Sequence, residues 1–150
     1  MTTLHNEITI NAPIGKIWTA LSDMEGLEKL DPNVKKSVPL SPIKNGLGAT
    51  RKVDMQDGKN WFEEKVTVYK PNETLTFELT ACSFPVLKLK YSYSLRQMGD
   101  QIKVMQVMDY QIKFGLLGKI LDSLMIRKQY DAGIKKFFAG LKTYAEKAER

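Results

Sequence analysis

Alternating apolar and polar residues dominate the middle of the chain and predict a run of antiparallel strands. Between residues 74 and 112, apolar residues recur at every second position, and short turn sequences such as CSFP and MGDQ interrupt the alternation. Each strand then has one apolar and one largely polar face, which is typical of an antiparallel sheet covered on one side. EITINAP, near the start of the chain, follows the same pattern and predicts a first strand.

Apolar residues at helical spacing lie on both sides of this run of strands. Pro13 suits the first turn of a helix, and IGKIWTALSDMEGLEKL predicts one helix and, after Gly26, a second short helix. Residues 116–148 carry an apolar stripe of period 3.6. This stripe predicts one C-terminal helix of roughly 45 Å, long enough to cover a sheet. The proline-containing VKKSVPLSPI predicts a weak strand at a sheet edge or with a bulge.

These elements predict one α+β domain over residues 1–150. A chain of 150 residues, of which 43% are hydrophobic and 27% charged, is long enough to bury one core. The expected order is a strand, two short helices, a long antiparallel meander and one long C-terminal helix.

The stretch GLGATRKVDMQDGKNWFEEKV places an arginine and a glutamate on an otherwise apolar strand face. Asp57-Gly58 is a strong hairpin signal, and a two-residue loop there sets Arg51 opposite Glu64. The same register aligns an apolar pair on the inner face and a second pair of opposite charges on the outer face. We interpret the inward pair either as a clip between two strands or as a polar anchor in a ligand cavity.

The net charge of +6 makes nucleic acid and anionic lipid candidate partners. Because the lysines are spread along the chain and no nucleic-acid-binding motif is present, we expect no nucleic-acid partner. The single cysteine, Cys82, excludes an intramolecular disulfide. No apolar run approaches the roughly 20 residues of a membrane span, and the first residues lack a secretory signal pattern. These observations predict a cytoplasmic location.

Motifs for catalysis and for cofactor binding are absent from the sequence. His5 is the only histidine, so a metal site of the His/Cys kind cannot be assembled, and we expect no metal and no cofactor. Whether the protein is an enzyme stays open. If it is, the candidate catalytic residues are Glu64 as acid or base, with Arg51 and Tyr110 as electrophilic partners.

Three segments, ITINAPIGKIWTALSDMEGLEKLDPNV, GLGATRKV and EEKVTVYKPNETLTFEL, carry a family resemblance. With the order of elements, they resemble the START/Bet v 1-like (SRPBCC) superfamily and, within it, the polyketide cyclase/dehydrase-like group. The resemblance covers nearly the whole chain. It implies a helix-grip fold, in which a curved antiparallel sheet wraps around a long C-terminal helix and leaves a cavity between them. Members bind sterols, lipids, polyketides, plant hormones or aromatic compounds, and some are cyclases or dehydratases.

The implied cavity predicts a site for a small hydrophobic molecule on the inner face of the sheet. Tyrosine hydroxyls and an amide would orient the ligand there, although the same residues could simply pack as core. The predicted ligand-binding residues are Phe62, Phe77, Leu79, Leu89, Tyr91, Tyr93, Gln106, Met108 and Tyr110 from the sheet, and Leu121, Leu124 and Met125 from the helix.

Three functions fit this sequence. The first is binding of a lipid, polyketide or aromatic compound by a monomer or homodimer. The second is a cyclase/dehydratase-like enzyme, a lyase or isomerase without cofactor, that uses the same cavity. The third is a basic module that docks on a partner or an anionic membrane through Lys119, Arg127, Lys128, Lys135 and Lys136.

Overall fold

Seven strands and three α-helices make up the described part of the chain. The computed structural model describes residues 1–147, except for the side chains of Ser123 and Leu124. The elements follow in this order: β1 (Thr2–Ile10), α1 (Ile14–Ser22), a 3₁₀ helix (Leu27–Lys29), β2 (Val34–Pro39), β3 (Thr50–Met55), β4 (Trp61–Lys70), β5 (Thr74–Cys82), β6 (Val86–Met98), β7 (Gln101–Ile112), α2 (Gly115–Leu121), a π-helical turn (Asp122–Ile126) and α3 (Arg127–Glu146).

All seven strands form one curved antiparallel sheet in the order β1-β7-β6-β5-β4-β3-β2. Helix α3 packs on its inner face, where the Tyr93 and Phe137 rings lie 5.8 Å apart. The buried face of α3 repeats every three to four residues, as expected of an amphipathic helix, and consists of Ile134, Phe137, Phe138, Leu141 and Ala145. The predicted α+β helix-grip fold is therefore confirmed.

Helix α3 also lies directly against the connection between α1 and β2. A Cβ atom on Gly140 would come within 1.8 Å of the Leu30 carbonyl oxygen. Only a residue without a side chain allows this approach of helix to backbone. Gly140 therefore allows α3 to lie close to the backbone at Leu30.

The β3–β4 hairpin has the predicted register, with Arg51 opposite Glu64. Its loop is longer than predicted, because the pairing ends where the Met55 N–H donates to the Asn60 carbonyl at 2.9 Å. Four residues therefore form the turn instead of two. The Asp57 side chain stabilises it by accepting hydrogen bonds from two backbone N–H groups. A loop lengthened by one residue on each side leaves the register unchanged.

The weak strand predicted from VKKSVPLSPI is β2. It lies at the edge of the sheet, and its register against β3 shifts between Val34 and Lys36. Both expectations for this proline-containing segment, an edge and a bulge, are confirmed. An irregular strand with a proline suits an edge because the edge lacks one set of ladder hydrogen bonds.

The predicted long C-terminal helix is confirmed, since residues 115–146 are helical throughout, but it contains a π turn that the sequence did not predict. A π-helical turn at Asp122–Ile126 separates α2 from α3. A π turn adds a residue to the helical repeat, so the apolar stripe before it is out of phase with the stripe after it. Gly118 and Asp122 face the protein from α2 and the turn, whereas Leu117 is 61% exposed.

Candidate functional site

A pocket of about 570 Å³ lies between the inner face of the sheet and the first half of α3. Its walls come from β3 to β7, from α1 and α3, and from the β3–β4 and β5–β6 connections. Apolar side chains line most of it, and polar groups gather at a few places. The alternation along the strands creates this arrangement, since every second residue points to the same face.

Seven of the predicted ligand-binding residues line this pocket. They come from four neighbouring strands and are Phe62, Leu79, Leu89, Tyr91, Tyr93, Gln106 and Met108. Strand β6 begins with an irregularity between Val86 and Lys88, which turns Leu87 outward and leaves Val86 on the pocket wall. From Leu89 onward the alternation is the one expected from the sequence.

Two predicted aromatic residues are buried but do not line the pocket. Phe77 stacks on the Tyr91 ring at 5.2 Å and lies in the core. Tyr110, a ligand and catalytic candidate, is fully buried, and its hydroxyl donates to Asp122 in the π turn. The Thr2 hydroxyl donates to the second Asp122 oxygen. Tyr110 therefore anchors the C-terminal segment to the sheet.

Two of the three helical residues of the predicted site, Leu121 and Met125, are not among the lining residues. Leu121 is 36% exposed and Met125 is 55% exposed. The physical reason is the π turn, which shifts the helical phase so that Asp122 faces the sheet and Leu121 and Met125 face solvent. The Leu124 side chain lies outside the described part of the structure. In place of these residues, Ile126, Tyr130 and Ile134 form the helical wall.

One end of the pocket carries a buried ion pair. The Arg51 Nε donates to one Glu64 oxygen at 2.7 Å, and the Tyr91 hydroxyl donates to the other at 2.6 Å. The Arg51 Nη1 donates to the Asp23 carbonyl at 3.3 Å, and the guanidinium carbon lies 4.6 Å from the centre of the Phe77 ring. Both charged side chains are almost fully buried.

The protonation states of this network follow from its surroundings. Burial by itself would lower the pKa of Arg51, but the Glu64 carboxylate and the Tyr91 hydroxyl outweigh it, so the pKa lies above its ordinary value. Burial and the Glu64 charge raise the pKa of Tyr91 well above its usual range. Arg51 is therefore charged, and Tyr91 is a neutral hydrogen-bond donor at physiological pH.

Asp31 and Asn33 form a second polar group on the pocket wall. Asp31 Oδ1 accepts hydrogen bonds from the Asn33 backbone and side chain, both at 2.9 Å. Burial raises the pKa of the Asp31 carboxyl despite these bonds. Sequence reasoning missed both residues, because LDPNV carries only the signal of a helix end and a turn.

Tyr93 and Gln106 are direct cross-strand partners and form a third polar group. Gln106 Nε2 donates to the Tyr93 hydroxyl oxygen at 3.1 Å. Gln106 is 3% exposed, and its Oε1 has no hydrogen-bond partner within the described residues. Buried polar atoms are nearly always paired, so this free carbonyl in a pocket wall is unusual.

A separate feature begins where β7 ends. Here large apolar side chains are exposed in the same segment as four exposed cations, while Gly118 and Asp122 are buried. We call this region the basic apolar surface. It consists of the apolar residues Phe114, Leu116, Leu117, Leu121 and Met125 and the basic residues Lys113, Lys119, Arg127 and Lys128.

A seven-stranded antiparallel sheet closed by a C-terminal helix defines a START/Bet v 1-like protein, and comparison with known proteins agrees. The family model described as polyketide cyclase/dehydrase and lipid transport matches residues 1–146. The chain therefore belongs to this family. A search of curated proteins found no significant match.

Solved structures support the same class. A START superfamily protein from Mycobacterium smegmatis has a TM-score of 0.79 at 17% identity, over 96% of this chain and 97% of that one. The Bacillus cereus protein XoxI has a TM-score of 0.77 at 12% identity, over 97% and 96%. The major latex-like protein 151 of Panax ginseng has a TM-score of 0.76 at 13% identity, over 96% and 97%. At these identities the likeness shows the fold.

Within residues 1–147, no helix combines the length and the hydropathy that a membrane span requires.

Proposed function

We propose that the protein binds a small hydrophobic molecule in the pocket between its sheet and α3. The pocket itself carries this proposal, because about 570 Å³ falls within the range of small-molecule sites. Its lining also has the composition of such sites, with apolar and aromatic walls and a few polar groups. A lipid, a polyketide or an aromatic compound fits this description.

The polar groups indicate an amphipathic ligand. Three separate groups reach the pocket: the Arg51–Glu64 pair with Tyr91, Asp31 with Asn33, and Tyr93 with Gln106. A purely aliphatic ligand would form no hydrogen bond with any of them and would leave Gln106 Oε1 without a partner. A ligand with an apolar body and at least one polar end would use both kinds of wall.

A pocket-filling substitution tests this proposal. Leu89→Trp puts an indole into the pocket, whereas Leu87→Trp adds the same group to an exposed position two residues earlier on the same strand. We expect the first variant to lose at least about tenfold in affinity for an apolar fluorescent probe and the second to bind like wild type. Native mass spectrometry of protein purified from cells would reveal a co-purified ligand.

Equal probe binding by wild type and both tryptophan variants would contradict the proposal. Circular dichroism and thermal unfolding would establish that the Leu89→Trp variant is folded. The absence of any probe binding to wild type would also reject this function.

The basic apolar surface favours a second function, docking on an anionic membrane. Exposed apolar side chains in a cluster are unusual on a monomer, and here they lie beside Lys113, Lys119, Arg127 and Lys128. A surface with this charge is complementary to anionic lipid headgroups, while it would repel a second copy of itself. Membrane contact would combine insertion of the leucines with attraction of the lysines.

Vesicle sedimentation tests this second function. We expect binding to vesicles that contain phosphatidylserine, none to pure phosphatidylcholine vesicles, and loss of binding at high salt. Lys113→Ala/Lys119→Ala should weaken binding by about thirtyfold, since each lysine near the surface contributes about 1 kcal/mol. Lys35→Ala/Lys36→Ala, at exposed positions on β2, is the charge-matched control. Equal weakening by both variants, or no binding at low salt, would rule out docking through this surface.

We rank an enzymatic role below binding. Of the three candidate catalytic residues, Glu64 and Arg51 already bond each other, and Tyr110 does not line the pocket. A cytoplasmic location and a monomeric or homodimeric state stay predictions.

A further inference from the structure

The Tyr93 and Gln106 pair presents two complementary groups to the pocket. The Tyr93 oxygen accepts a hydrogen bond from Gln106 Nε2, so the phenolic hydrogen needs a separate acceptor, and none of the described residues supplies one. Gln106 Oε1 needs a donor and has none. One donor and one acceptor therefore lie side by side on adjacent strands in the pocket wall.

Burial keeps this pair neutral. It raises the pKa of the Tyr93 phenol above its ordinary value, so the hydroxyl keeps its proton at physiological pH. A charged ligand group would have to give up its hydration for two uncharged partners, which is unfavourable in a buried site.

We propose that the ligand carries a hydroxyl group, which binds between Gln106 Oε1 and the Tyr93 hydroxyl. A hydroxyl donates one hydrogen bond and accepts another, so it satisfies both protein groups at once. The inference rests on the proposed function and deepens it, because it narrows the ligand from a hydrophobic molecule to an apolar alcohol or phenol.

Other polar groups match this pair less well. A ketone, ether or ester oxygen accepts from Tyr93 but leaves Gln106 Oε1 without a donor, and a carboxylate would add repulsion from that oxygen and from Glu64. The match depends on the amide orientation in the structure, in which Nε2 donates to Tyr93. With the amide turned over, Tyr93 would donate to Oε1 and Nε2 would need only an acceptor, so an ether or ketone oxygen would fit as well as a hydroxyl.

Three probes of similar shape test the inference: β-naphthol, its methyl ether and β-methylnaphthalene. The first donates and accepts, the second only accepts, and the third does neither. With wild type we expect β-naphthol to bind about tenfold more tightly than either of the others, measured by naphthalene fluorescence or calorimetry. In Gln106→Leu the ratio of the affinity for β-naphthol to the affinity for the other probes should fall to about one.

Gln111→Leu is the matched control, with the same substitution at an exposed position of the same strand. It should keep the wild-type preference. Tyr93→Phe provides a second variant in case Gln106→Leu does not fold, and it should lose most of the preference, since only the phenolic hydroxyl is removed.

Each outcome separates the two proposals. If wild type binds all three probes equally, or if Gln106→Leu and Tyr93→Phe fold but keep the full preference, the hydroxyl site is refuted while ligand binding stands. If wild type binds none of the probes and carries no co-purified ligand, the proposed function fails, and the inference fails with it.

Discussion

Glu64 has no solvent exposure, yet each of its carboxylate oxygens receives a hydrogen bond, from Arg51 and from Tyr91. Removing two charges from water is costly, and their attraction offsets that cost only when the geometry is good. The geometry is good here: Arg51 and Glu64 are 2.7 Å apart, Tyr91 donates to the other Glu64 oxygen, and the Phe77 ring lies beside the guanidinium. This arrangement favours the structural interpretation of the pair.

Breaking this pair should destabilise the protein strongly. Arg51→Met leaves a carboxylate buried without its cation, and we expect the free energy of unfolding to fall by about 3–5 kcal/mol. Adding Glu64→Gln removes the buried charge and keeps an acceptor for the Tyr91 hydroxyl. The double variant should therefore recover more than half of the loss, measured by urea unfolding.

The solvent-accessible pair of Lys103, which is half-buried, and Glu7, which is exposed, provides the control, with the two charged groups 3.1 Å apart. Lys103→Met should change stability by less than about 1 kcal/mol, because surface ion pairs contribute little. A double variant no more stable than Arg51→Met alone would mean that the unpaired charge is not the cause of the loss.

The sequence predicted the cross-strand position of Arg51 and Glu64 but not their third partner. A hairpin signal and charge matching determine neighbours across one turn. Tyr91 is 27 positions from Glu64 and reaches it past a register shift between Glu63 and Glu64. Such a bulge depends on packing and hydrogen bonding across the folded sheet, and the alternation within one strand does not reveal it.

At the scale of elements, α3 approaches the connection between α1 and β2 at two glycines, closely at Gly140 and less closely at Gly133. Gly140 has no room for a side chain against the Leu30 carbonyl. At Gly133, one of the pocket-lining residues, a Cβ atom would meet Asn33 Nδ2 at an ordinary 3.8 Å. The same helix therefore contains one glycine required by packing and one that packing tolerates losing.

Alanine at the two glycines should act in opposite directions. Gly140→Ala forces α3 away from the 3₁₀ connection, and we expect it to lower the free energy of unfolding by about 1–3 kcal/mol. Gly133→Ala should raise it by about 0.5–1 kcal/mol, because alanine loses less backbone freedom in a helix. Urea unfolding of the two variants would measure both effects, and equal stability of the two would contradict the contact at Leu30.

The helical periodicity predicted helix throughout the C-terminal segment but could not reveal its π turn. Apolar spacing reports which residues could share a face, whereas the turn is held by bonds from Tyr110 and Thr2 to Asp122. These contacts join residues 12 and 120 positions apart. For this reason Leu121 and Met125 were placed in the ligand site, although the structure exposes them.

For the whole molecule, the pattern of elements predicted one α+β domain with a sheet covered on one side, and the family resemblance supplied the helix-grip arrangement. The alternation along the strands predicted seven of the lining residues, because every second side chain of a strand points to the same face. The contributions of Asp31, Asn33 and the β5–β6 connection were not predictable, since loops reach a pocket through their conformation and not through periodicity. The unpaired Gln106 Oε1 was not predictable either, because the partners of a buried atom depend on all the residues that surround it in the folded protein.

The position of β1 beside β7 has a consequence for how the chain folds. Most neighbouring strands in this sheet are consecutive in sequence, so they can pair as soon as both exist. Strand β1 is different, since its Thr3 bonds Asp109, 106 positions later. During synthesis the first strand must wait until nearly three-quarters of the chain has left the ribosome. Closure of the sheet by β1 is therefore a late event, and it exposes β7 as an unpaired edge until it occurs.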